Sequence, residues 1–180
     1  MFSDEELIKR FKESDNPGHI FGLIVRKYQQ QVYWHVRRLL TSHEDSNDIT
    51  QNVFVKAWTA LPNFRGESAL YTWLYRIATN EALSFLSRNK SRYLVSIDDE
   101  TANLGTQLKA CSHFDGNKLQ KEIQKAIMSL PEKQRVVFNL RYFNEMKYEE
   151  MSEILDTSVG ALKASYHHAA KKIEKFLTGN

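Results

Sequence analysis

The chain has 180 residues, 42% of them hydrophobic and 26% charged, with 3 Pro, 7 Gly and a formal net charge of +3. The length allows one medium domain or two small ones, the hydrophobicity excludes a disordered chain, and the scarcity of breakers favours helices throughout. The single cysteine, Cys111, excludes an internal disulfide and a cysteine-based zinc site and fits a reducing compartment.

The opening residues Phe2-Ser3-Asp4-Glu5-Glu6 are acidic, unlike a signal peptide. No apolar run approaches the roughly 20 residues of a membrane helix. A cytoplasmic protein without membrane insertion is therefore expected. From Asp4 to about Arg92 the pattern reads as consecutive helices. Phe21, Ile24, Val25, Tyr28, Val32, Val36 and Leu39 recur at three- and four-residue steps, the apolar stripe of one long helix. The polar run 41–45 ends it and offers N-caps to a second helix, with Ile49, Val53, Ala57 and Leu61 on one face. Pro62-Asn63 stops that helix. A third begins near Ser68 and carries Leu70, Leu74, Ile77, Ala78 and Phe85.

Residues 93–117 lose the period and have a linker composition, which places a domain boundary between 1–92 and 118–180. From Lys118 the helical period returns with Leu119, Ile123, Ile127 and Leu130. Pro131-Glu132 suits the start of a further helix bearing Val136, Val137, Leu140 and Phe143. Two short helices follow, Tyr148–Leu155 and then Ser158 onward. The expected fold is all-α: two small helical domains joined by a flexible acidic linker.

Charge is unevenly spread. Residues 61–93 hold five Lys/Arg against two Glu, and residues 158–180 hold four Lys against one Glu, so each segment carries +3. Residues 94–116 carry four acidic residues against Lys109, a balance of −3. Two DNA-facing surfaces with a spacer would look like this, and so would ordinary charge scatter.

Three segments carry the functional signal. The last two helices, separated by Asp156-Thr157 and capped by Ser158, have helix-turn-helix spacing, with Lys163, Ser165, His167, Lys171 and Lys172 away from the buried side. A helical hairpin with a solvated lysine face would share that spacing. In the segment 63–80, Trp73, Arg76 and Asn80 share a helix face beside the Gly66 loop, offering rings and donors to unpaired bases. Core packing is the preferred reading for Trp73 itself. Asp45, Asp48, Gln51 and Asn52 form an acidic, amide-bearing face on a stretch (41–52) without Lys or Arg. Such a face would repel phosphates and suits docking on a protein. Complementing the helix dipole accounts for Asp45 and Asp48, though not for Gln51, Asn52 or an exposed Val55.

Asp45-x-x-Asp48-Ile49-x-Gln51-x-x-Phe54-x-x-x-Trp58, Phe64-Arg65-Gly66 followed by Thr72-Trp73-Leu74-Tyr75-Arg76-Ile77-Ala78-x-Asn80, Leu130-Pro131-x-x-Gln134-Arg135 and Gly160-x-x-Lys163 together resemble the sigma-70 family in its short extracytoplasmic-function branch. The resemblance covers roughly residues 8–92 and 118–178. It implies an alternative sigma factor whose partners are core RNA polymerase and promoter DNA; the family often uses an anti-sigma factor as well. It implies polymerase docking through Asp45, Asp48, Gln51, Asn52 and Phe54. For the minus-ten promoter element it implies Phe64, Arg65, Arg76, Asn80 and Arg88. For the minus-thirty-five element it implies Arg135, Lys147, Ser158, Val159, Leu162, Lys163, Tyr166, His167 and Lys171. The acidic linker resembles the family segment that threads the RNA-exit path.

One departure is local. Ala161 and Ser165 stand where the family usually has Thr and Arg, which removes two phosphate contacts that His167, His168, Lys171 and Lys172 are placed to replace. An enzyme is not expected: no nucleophile motif, phosphate loop or carboxylate pair is present. Adjacent His167 and His168 point to different helix faces, unlike a metal pair. No catalytic residue, metal or cofactor is expected. The competing classes are a stand-alone helix-turn-helix regulator, which would need a ligand pocket or dimer face in its N-terminal domain, and a helical interaction protein with no DNA role.

Overall fold

The computed structural model describes residues 2–40, 42–89 and 117–179, with the side chains of 117–121 left aside. Among them are eight α-helices and no strand. The flexible linker expected at 93–117 lies outside the described residues apart from Asn117, which opens a helix.

Four helices form the N-terminal part. α1 (Asp4–Glu13) starts from a capping box in which Ser3 Oγ accepts from the Glu6 amide and Glu6 accepts from the Ser3 amide. α2 (Pro17–Leu39) has Asn16 as its cap and Pro at its first position, where a missing amide proton costs nothing. α3 (His43–Ala60) is capped by Ser42, and a 3₁₀ turn over Leu61–Asn63 ends it at the proline expected to stop it. α4 (Leu70–Arg88) follows the loop 64–69.

The C-terminal part holds α5 (Asn117–Met128), α6 (Glu132–Tyr142), α7 (Tyr148–Leu155) and α8 (Val159–Thr178). Between α7 and α8, Asp156 takes the left-handed conformation (φ 49°, ψ 47°), which a short polar side chain tolerates, and Ser158 Oγ accepts from the Ala161 amide to start α8. The helix-turn-helix is therefore set by local chemistry.

Most of the stripes read from the sequence are buried, with Ile24, Val32, Val36, Val53, Ala57, Leu70, Leu74 and Ala78 each at most 3% exposed, whereas Phe21, Val25, Ile77 and Phe85 are half-buried and Phe143, at the end of α6, is 36% exposed. A small cluster of Ala126, Ile127, Leu130, Phe138, Ala169 and Ile173 ties α5 and α6 to α8. The larger cluster crosses the domain boundary. Val136, Val137 and Leu140 of α6, Met146, Met151 and Ile154 around α7, and Leu162 of α8 share one core with α1–α4. α6 is buried over six consecutive residues, Arg135–Leu140, because one side meets α8 and the other meets α2.

Candidate docking and nucleic-acid interfaces

α3 and α2 together build an apolar groove of about 500 Å³ lined by Phe21, Val25, Gln29, Thr50, Gln51, Phe54, Val55 and Trp58. Val55 is 64% exposed and Trp58 40%, large for apolar side chains of a folded domain. An edge-on set of rings supports the groove. Phe21 meets Trp58 at 5.2 Å and Phe54 at 6.4 Å, and Phe11 of α1 meets Trp58 at 5.5 Å. Of the docking residues expected from the sequence, Asp48, Gln51 and Asn52 are exposed, Asp45 is half-buried, and Phe54 is sunk in the groove wall. Phe21 and Val25, which the periodicity places in the core stripe of α2, also line this groove. The sequence reading left Trp58 out of the contact set, although its place in the motif was a signal.

The second surface is the loop 64–69 with the start of α4. Gly66 adopts φ +75° with nothing within 4 Å of a Cβ placed there, so glycine is required by the backbone turn rather than by space. Lys12 Nζ donates to the Phe64 carbonyl at 2.7 Å and pins the loop to α1. Phe64 is 7% exposed, its ring 5.0 Å from that of Trp73. Trp73 is half-buried, between the core-filling role preferred for it and an exposed platform. Arg76, Asn80 and Arg88 are exposed along α4, and Arg65 lies out in solvent with a loose 3.9 Å pairing to Glu67. Asn63, Arg65, Ser68, Trp73 and Arg76, together with Glu67, Glu153 and Asp156, line a cavity of about 620 Å³. An aromatic wall with two guanidinium groups at its rim fits a flat π-face next to a phosphate.

The helix-turn-helix presents Ser158, Lys163, His167 and Lys171 to solvent, with Val159 half-exposed at the start of α8. Lys147 is exposed just before α7, where its amide donates to Glu150 at 2.9 Å. Lys163 Nζ lies 5.7 Å from the centre of the Tyr148 ring. Tyr166 is half-buried and stacks on Phe138 at 5.7 Å with only 12° between the planes. Two expectations are corrected. Leu162 is 1% exposed and belongs to the core, so it holds α8 in place rather than meeting a base. Arg135 is 6% exposed with Nη1 directed at Met128 Sδ (3.5 Å), because α6 is covered on both sides, and it does not face a phosphate.

Contacts between the two parts were not legible in the sequence. Asn139 Nδ2 donates to the Arg38 carbonyl at 3.2 Å, Asn144 Nδ2 to Tyr75 Oη at 2.9 Å, and Tyr71 Oη to a Glu150 carboxylate oxygen. The Arg38 guanidinium stacks 4.5 Å from the centre of the Phe143 ring. Burial, aided by the hydrogen bond to Glu150, pushes the Tyr71 hydroxyl above its ordinary pKa, and burial pushes Tyr75 up to about 12, so both stay protonated donors or acceptors at neutral pH. Asn139, a polar residue inside a buried helix face, was the available signal.

The class defined by these features is a helical protein with an exposed arginine-bearing face on α4, a separate apolar groove between α2 and α3, and a C-terminal helix-turn-helix. The chain matches the family models for Sigma-70 region 2 over residues 24–92 and Sigma-70 region 4 over residues 120–173. It is 36% identical to the ECF RNA polymerase sigma-E factor of Escherichia coli K12, over 96% of this chain and 93% of that one. It is 32% identical to the protein of the same name from Haemophilus influenzae, over 96% and 94%. The chain therefore belongs to the sigma-70 family, in its extracytoplasmic-function branch. Its fold is similar to that of CnrH in complex with the cytosolic domain of CnrY (TM-score 0.70, 20% identity, 98% of each chain). It is also similar to sigma factor RpoE in complex with the anti-sigma factor NepR from Bartonella quintana (TM-score 0.66, 20% identity, 88% of this chain and 96% of that one).

Proposed function

We infer that the chain is an alternative sigma factor that binds core RNA polymerase, brings it to particular promoters and promotes strand opening, in the compartment where the polymerase works. The observation that carries this reading is the pairing, in a sigma-70 family member, of two unlike surfaces on neighbouring helices. One is the groove around Val55 and Trp58, with Gln51 in its lining and Asp48 exposed one turn earlier on α3; the other is the Gly66 loop and the Arg76–Asn80 face of α4.

The groove supplies apolar area and the rim supplies sign, so a polymerase helix with apolar and basic residues is the matching partner. On the second surface, a base that unstacks is held by the half-buried Trp73, which the buried Phe64 ring supports from beneath, while Arg65 and Arg76 take the adjoining phosphates. Each stacked base contributes about 1–3 kcal/mol, so capture of several bases offsets opening without covalent chemistry. Ser158, Val159, Lys163, His167 and Lys171 of the helix-turn-helix are placed to read the upstream element in duplex form. An anti-sigma factor is a further proposed partner, since one structure of similar fold was solved in complex with the anti-sigma factor NepR.

The test is association of the purified chain with core RNA polymerase, followed by run-off transcription on genomic fragments. We expect association and promoter-dependent transcripts, both lost in Asp48→Arg/Gln51→Arg. Duplex DNA binding without polymerase association would overturn the reading in favour of a stand-alone regulator.

A further inference from the structure

We propose that Lys12 of α1 is a positioning residue for strand capture: its bond to the Phe64 carbonyl sets the direction in which the Gly66 loop presents Arg65 and holds Phe64 beneath Trp73. The inference deepens the reading of that surface given above and rests on it. α1 carries none of the motif residues that mark the surface, and Lys12 lies 52 positions from the loop residue it holds.

The loop needs support from outside itself. It spans residues 64–69, between the 3₁₀ turn and α4, and its backbone is tied only at the two ends. The Phe64 amide donates to the Leu61 carbonyl at 3.1 Å, and the Ala69 carbonyl accepts from the Trp73 amide at 3.1 Å. Between those two points, among the described residues, the bond from Lys12 Nζ at 2.7 Å is the one hydrogen bond made to the loop. Gly66, at φ +75°, adds freedom rather than stiffness, and Ala69 gives α4 no side-chain cap. The Arg65–Glu67 pairing is loose at 3.9 Å, with side chains 84% and 80% exposed, and fixes little.

The bond from Lys12 falls where it has leverage. A peptide unit is planar, so the Phe64 carbonyl and the Arg65 amide and Cα form one rigid plate. Holding the carbonyl toward α1 orients that plate, and with it the direction in which the chain enters Arg65 and Gly66. The side chain of the same residue points into the domain, where the Phe64 ring is 7% exposed and lies 5.0 Å from that of Trp73. Phe64 thus connects α1 to the ring that would hold a base and to the guanidinium that would take its phosphate. The donor is itself well placed. Leu7 and Phe11 bury one face of α1 in the core, and at its first residue Asp4 accepts from Lys27 Nζ at 2.6 Å and from Tyr28 Oη at 2.7 Å. At the other end Lys12 shares a cavity lining with Trp58, Thr59 and Pro62, where α3 finishes. A charged donor makes the stronger kind of hydrogen bond to a carbonyl, yet Lys12 is exposed, so the fold does not depend on it.

The experiment uses the full chain and a labelled single-stranded DNA of random sequence, with fluorescence anisotropy read over a range of salt concentrations. Lys12→Met removes the donor and keeps the stem, Lys12→Arg keeps a charged donor, and Arg65→Ala/Arg76→Ala removes the phosphate contacts of the surface. We expect Lys12→Met to bind the strand about five-fold more weakly, as befits one lost hydrogen bond from a charged group. Its slope of log affinity against log salt and its melting temperature should match those of the wild type, amide exchange should quicken at residues 65–68, and Lys12→Arg should restore the affinity. A slope reduced by about 0.7 overturns the inference, since Lys12 would then contact a phosphate directly. Wild-type affinity in Lys12→Met, when Arg65→Ala/Arg76→Ala binds weakly, also overturns it and leaves the reading of the surface standing. If Arg65→Ala/Arg76→Ala binds as tightly as the wild type, the reading of the surface itself fails, and the inference with it.

Discussion

His35 shows how one residue couples chemistry to stability. It is fully buried between α2 and α4, with Nε2 at 2.9 Å from Thr79 Oγ1 and its ring 4.8 Å from that of Tyr75. Burial, and then the nearby Arg38 charge, lower its pKa to about 3. The folded state therefore resists a proton that the unfolded chain accepts near pH 6.5, so stability falls as pH drops from about 6.5 toward 3. Between pH 7 and pH 5 the expected loss is about 2 kcal/mol. Urea midpoints measured at both pH values check this, and His35→Gln should flatten the difference.

Residue identity also explains the two corrected expectations. Leu162 and Arg135 sit in family-like motifs, and a motif fixes residue type and spacing but not which side of a helix another element covers. Leu162 is apolar and its burial is unsurprising. The burial of Arg135 depends on α6 meeting neighbours on both flanks, which its short stripe does not announce.

At the scale of elements, capping decided boundaries that the sequence had placed within a few residues. Ser158 is the clearest case, since its hydroxyl accepts from the Ala161 amide and so defines the first turn of α8, the second helix of the helix-turn-helix. Ser158→Ala should cost about 1 kcal/mol of stability, read from thermal melting. α3 is the other instructive element. Its buried Ile49, Val53 and Ala57 were plain in their four-residue spacing, whereas Val55 and Trp58 line a groove only together with Phe21 and Val25 on α2. Val55→Asp leaves the core untouched, since the side chain is 64% exposed, and should weaken polymerase association at least ten-fold in a pull-down titration without shifting the melting temperature.

At the scale of the molecule, the division into two helical parts was legible from the loss of period after residue 92, and their union was not. Seven apolar residues from α6, α7, α8 and the turn before α7 complete a core otherwise built from α1–α4. Leu140→Ala, at 0% exposure, should therefore destabilise both parts together by about 2–5 kcal/mol. Near-ultraviolet dichroism, reporting Trp34, Trp58 and Trp73, and an extrinsic label on α8 should show one shared transition. Two separated transitions would mean that the seam contributes little.

By itself the sequence determined the helices, their caps and breakers, the turn at Asp156-Thr157, and the residue types of the candidate surfaces, because these depend on periodicity and on hydrogen bonds within a few positions of the chain. Only the tertiary structure decided which faces remain open and which are covered. The exposure of Val55, the enclosure of Arg135 and the placing of Glu153 and Asp156 in one cavity with Arg65 and Arg76 depend on contacts between elements far apart in the chain. Burial of a face is a property of what packs against it, and one helix's period carries no record of its neighbour.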